Sequence, residues 1–124
     1  MREIEFRGLN INGEWLYGNL AIIPFTIEFP PLEAGSYISN KRGVPFACRV
    51  RPETVGQFVG LLDENGKEIY EGDIFDPHIK GFGPCVVRFN KGAFVFEEDG
   101  GQHNLGPIHS TVEVIGNIHE NRSY

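Results

Sequence analysis

Residues 52–74 read PETVGQFVGLLDENGKEIYEGDI, and the order of apolar and turn residues along this stretch decides the fold class. Pro52 suits the first position of a helical turn, where its missing N–H would have no partner, and Gly56 closes that turn soon after it opens. Gln57–Leu62 then reads as a strand, Asp63-Glu64-Asn65-Gly66 as a polar turn, and Lys67–Tyr70 as the strand that pairs back. Glu71-Gly72-Asp73 forms a tight corner into Ile74–Asp76, which Pro77 ends by removing a ladder donor. At that corner the Asp73 carboxylate is placed to accept backbone N–H groups.

Downstream the rhythm continues. Lys80–Pro84 is a glycine-rich loop, and Cys85–Phe89 with Ala93–Glu97 forms a hairpin around Asn90-Lys91-Gly92. A polar loop, Glu98–His109, precedes a last strand at Val112–Ile118. Five or six short strands at such close spacing predict a small barrel of the Src-homology-3-like (SH3-like) kind, which removes exposed edges by closing on itself.

Upstream, Val44–Val50 reads as a strand. Before it lies a long loop, 24–43, broken by Pro30-Pro31 and Gly35-Ser36, with a short strand at Tyr37–Ser39. Glu3–Gly8 alternates with Ile4 and Phe6 on one face. Asn12-Gly13 reads as a two-residue type I′ turn, and Glu14–Ile23 returns from it. No window holds a helical period over three turns. The expectation is a mostly-β chain with little helix: an N-terminal β-hairpin region, 1–51, packed on a C-terminal barrel, 52–124.

The chain has 124 residues, enough to bury roughly two-thirds of its unfolded surface without staples. Its ten phenylalanines are candidate core anchors. A net charge of −6 repels nucleic-acid phosphates and anionic lipid heads at long range, although a local basic patch remains compatible with it. Cys48 and Cys85 form no CxxC pair and lie in apolar runs, so they read as small buried hydrophobes. The charged start Met-Arg-Glu-Ile-Glu-Phe-Arg does not resemble a signal peptide, and Leu20–Phe25 is too short to span a bilayer. The expected location is a cytoplasm.

The central block Pro52–Ile74 resembles the signature of the YopX family of bacteriophages and prophages. The opening MREIEFRG, the GEWLYGNL of Gly13–Leu20 and the EVIGNIHEN of Glu113–Asn121 are similar to that family in the same order. The resemblance implies a phage-derived protein in a bacterial host, a two-part β architecture and plausible oligomers. It implies no activity.

Chemistry must then come from the residues themselves. Glu64, Glu68, Glu71, Asp73 and Asp76 form a carboxylate group, and turn residues flank most of them, so they read as solvated. Asp73, Asp76 and His78 make the nearest approach to a metal cluster and give one alternative, a metal-dependent enzyme. Pro77 interrupts that strand, and His103, His109 and His119 are scattered. No GxSxG, HExxH or phosphate-loop pattern occurs, so no catalytic, metal or cofactor residue is assigned. Arg49 and Arg51 with Phe46, close to Arg42, form the one basic–aromatic cluster, and the second alternative is a nucleic-acid-binding barrel that uses it. The leading expectation is a non-enzymatic accessory protein, self-associating through β surfaces or meeting a phage or host protein.

Overall fold

A computed structural model describes residues 4–29, 31–39, 47–78, 83–98 and 101–120. The described residues form eleven strands and two short 3-10 segments, so the chain is mostly β with almost no helix. Two antiparallel sheets carry the strands. One runs β4-β3-β2-β1-β5-β6 and the other β10-β9-β8-β7-β11. The chain divides into two compact units, Met1–Gln57 and Phe58–Tyr124.

In the first unit, β1 (Phe6–Leu9) pairs with β2 (Trp15–Ile23), which pairs with β3 (Gly35–Ser39) and through it with β4 (Cys48–Val50). The strand expected at Tyr37–Ser39 is therefore present and begins two residues earlier. Of the strand expected at Val44–Val50, residues 44–46 lie outside the described ones. The 3-10 turn Pro52–Thr54 forms where the proline predicts it. Its Thr54 is buried and ties the turn to β1, since Thr54 Oγ1 accepts the N–H of Leu9 at 2.9 Å. The inward face of the first strand differs from expectation. Ile4 is 59% exposed, while Arg7 is buried with its guanidinium carbon 4.7 Å from the centre of the Trp15 ring. A cation over an indole face substitutes for aliphatic packing there.

β5 (Gly56–Leu62), which lies in the second unit from Phe58 onward, pairs with β6 (Glu68–Tyr70) around a bulge. β7 (Asp73–Asp76), β8 (Cys85–Asn90), β9 (Ala93–Glu98), β10 (Gly101–Asn104) and β11 (Glu113–Asn117) make the five-stranded sheet. Strand alternation builds its core: Val59, Ile69, Phe75, Cys85, Val87 and Phe96 are buried together with Leu105, Val112 and Val114. Phe75 and Phe96 meet edge-to-face at 5.3 Å.

Two expectations need correction here. Among the described residues the sheets are open and form no closed barrel. Closure requires a ladder between edge strands, whereas β11 and the residue before it meet the β5–β6 turn instead: Glu64 N–H donates to the Val112 carbonyl, and Asp63 Oδ2 accepts the N–H of Val114, each at 2.9 Å. Such a cap satisfies backbone groups locally without a further strand. Of the polar loop expected at Glu98–His109, residues 99–100 lie outside the described ones, and the rest is strand and 3-10 turn: β10 pairs with β9 and a 3-10 segment spans Gly106–Thr111.

The corner after β6 follows its predicted chemistry. Asp73 is buried, and its Oδ2 accepts the N–H of Tyr70 at 2.7 Å. Gly72, at φ +91°, donates to the Val87 carbonyl and accepts from Ile118.

Candidate functional site

Three elements of the second unit bring titratable groups together. Asp76 ends β7, and its Oδ1 accepts the N–H of His78 at 2.8 Å. That bond holds His78 at φ +57°, a left-handed conformation few non-glycine residues adopt. The imidazole then reaches the β5–β6 turn, where its Nε2 lies 2.8 Å from Glu64 Oε1. The same nitrogen is 3.9 Å from Oε1 of Glu113 on β11, and Nδ1 is 3.7 Å from Asp76 Oδ2. The hydrogen bond to Glu64 raises the His78 pKa, with the charges of Glu64, Asp76 and Glu113 acting the same way against a smaller desolvation effect.

Of the trio Asp73, Asp76 and His78, the structure joins Asp76 and His78. Asp73 sits buried at the opposite end of β7, holding the corner. The sequence pattern does not place Glu64 and Glu113 beside His78. Only the β7–β11 register, which sets Glu113 opposite Asp76, brings Glu113 there, and the docked turn brings Glu64.

The basic patch is differently placed. Arg49 Nη1 contacts Glu33 Oε2 at 2.6 Å, and Nη2 donates to the Ala34 carbonyl at 3.0 Å. Arg51 is exposed at the start of the 3-10 turn. Both arginines line an open concavity of about 390 Å³ with Ile11, Val50 and Pro52. Phe46 and Arg42 lie outside the described residues. Cys85 is buried as expected, but Cys48 is exposed, because β4 is the terminal strand of its sheet.

The first unit also presents apolar side chains outward. Ile22 is 68% exposed, Phe25 71% and Phe29 89%. The segment carrying them is held by paired backbone bonds between Ile27 and Leu32, both 2.8 Å, and by Thr26 Oγ1, which accepts the N–H of Ala34. Among the described residues no helix is long and apolar enough to cross a membrane.

Comparison with known proteins places these features. A family model described as YopX protein matches residues 24–123. No curated protein matches the chain. A solved structure, the crystal structure of protein EF1440 from Enterococcus faecalis, is similar with a TM-score of 0.56 and 22% identity. The match covers 98% of this chain and 96% of that one, and it shows a shared fold.

Proposed function

The chain belongs to the YopX family, and on that premise we propose that it is a phage- or prophage-derived accessory protein, non-enzymatic, that self-associates in the bacterial cytoplasm through the apolar β surface of its first unit. The observation that carries this reading is the exposure of Ile22, Phe25 and Phe29 at one end of β2 and in the segment after it. Backbone bonds order that segment, so its apolar side chains are held out in water at a free-energy cost that a partner surface removes. The β4 edge of the same sheet offers backbone groups to a second copy.

Light scattering of the purified chain at high micromolar concentration tests it. The expected result is a mass above the monomer's, returned to the monomer by Phe25→Ser with Phe29→Ser while circular dichroism is unchanged. Burying a phenylalanine contributes about 2 kcal/mol, so the double variant should weaken association more than tenfold. A strict monomer overturns the reading.

The second reading, nucleic-acid binding, rests on the concavity that Arg49 and Arg51 share. Glu33 already neutralises Arg49, which leaves Arg51 as the main phosphate contact. A gel shift with single-stranded DNA at low salt that Arg51→Ala abolishes would favour it; no shift removes it.

A further inference from the structure

We propose that Glu64, His78 and Glu113 bind one divalent first-row transition-metal ion of the zinc class. The donor set is one imidazole nitrogen and two carboxylate oxygens, one each from a turn, a strand end and a neighbouring strand. The three ligand atoms lie within 4.8 Å of one another. In a tetrahedral site with bonds near 2.1 Å, neighbouring ligand atoms stand roughly 3.4 Å apart. The distances from His78 Nε2, 2.8 Å to Glu64 and 3.9 Å to Glu113, bracket that value, so small side-chain rotations satisfy it. A nitrogen donor with only two carboxylates suits zinc better than calcium or magnesium, which favour oxygen donors.

Charge points the same way independently. Asp76 and Glu113 stand directly opposite each other on β7 and β11, a like-charge pair that is unfavourable by itself. Glu64 adds a third carboxylate, and the His78 ring lies within 4 Å of all three. Even a protonated His78 leaves this cluster with excess negative charge. Asp76 Oδ2 is 3.7 Å from the other ring nitrogen, beyond hydrogen-bond distance. A side-chain rotation that moves its tip by about 1 Å would let it accept that N–H and orient a metal-bound imidazole. The three ligand side chains are 34–44% exposed, which leaves room for water to complete the coordination.

The site is independent of self-association through the first unit. Calorimetric titration of Zn2+ into the full chain tests it, in a Cys48→Ser background because Cys48 is an exposed thiol. One ion per chain is expected, with a zinc-dependent shift of the His78 ring resonances. Glu113→Gln leaves the Glu64–His78 hydrogen bond in place, so it should weaken zinc at least tenfold while the metal-free melting temperature holds. His78→Gln should abolish saturable binding. The proposal is overturned by the absence of saturable binding, by an affinity that Glu113→Gln and His78→Gln both leave unchanged, or by zinc that fails to move the His78 resonances.

Discussion

The loop Asn10–Glu14 in the first unit and the loop Asp63–Lys67 in the second carry the same set of bonds. In each, the first residue's N–H donates to the fifth residue's carbonyl, and the glycine N–H donates back to the first carbonyl. In each, one side-chain oxygen of the first residue accepts the N–H groups of the third and fifth residues, at 2.9 Å throughout. Gly13 and Gly66 stand at φ +80° and +79°, which a side chain would strain. The difference lies in the second polar atom. Asn10 spends its amide nitrogen on the exposed Glu14 carboxylate, at 3.2 Å. Asp63, only 5% exposed, uses its second oxygen to accept Val114 N–H on β11. One turn closes a hairpin; the other also fastens that hairpin to a sheet and thereby delivers Glu64 to His78. Both oxygens of a carboxylate accept, so its second oxygen can take an N–H from another element, where an amide presents a donor instead.

The sharpest way to break this comparison is Asp63→Asn. The amide would turn a donor toward Val114 N–H, leave a buried group unpaired and remove charge-assisted bonds, so a loss of about 3 kcal/mol is expected in urea unfolding. The same carboxylate predicts acid sensitivity. Burial raises the Asp63 pKa, but the N–H groups of Val114, Lys67 and Asn65 and the Lys67 charge outweigh it, and the result lies below the usual value. A depressed folded-state pKa gives stability that is complete above about pH 4 and lost as pH falls through the folded value. Unfolding midpoints measured downward from pH 5 should fall for the native chain and much less for Asp63→Asn. The smallest effect belongs to the exposed turn: Asn10→Ala should cost about 1 kcal/mol, and Asn10→Asp should be close to neutral. Equal losses at Asn10 and Asp63 would show that the contact with β11 contributes nothing.

Much of this was legible in the residues. The strands at Gln57–Leu62, Cys85–Phe89 and Ala93–Glu97 announce themselves by composition and flanking turns, and each is found within a residue or two. The type of turn was harder to read. Asn12-Gly13 predicts left-handed backbone at both positions, but among the described residues that arrangement occurs at Lys91-Gly92, with φ +51° and +81°. Asn10 decided the matter by binding Asn12 and Glu14 and widening the loop to three residues. The polar segment Gly101–Asn104 gives no apolar alternation to read, yet it is a strand because β9 offers it a partner.

Period-2 alternation, turn residues and a proline at the head of a short helical turn act over a few neighbours, so the sequence by itself determined a mostly-β chain, its hairpins and the corner at which the Asp73 carboxylate accepts a backbone N–H. The burial of Asp73, which the sequence reads as solvated, came from the fold. Which edges meet is a matter of long-range register, and no local pattern carries it. Tertiary structure alone left the sheets open, placed Glu113 opposite Asp76, and set Glu64 beside His78. Each of those outcomes depends on a hydrogen bond between residues far apart in the chain, which forms only when the whole unit is in place.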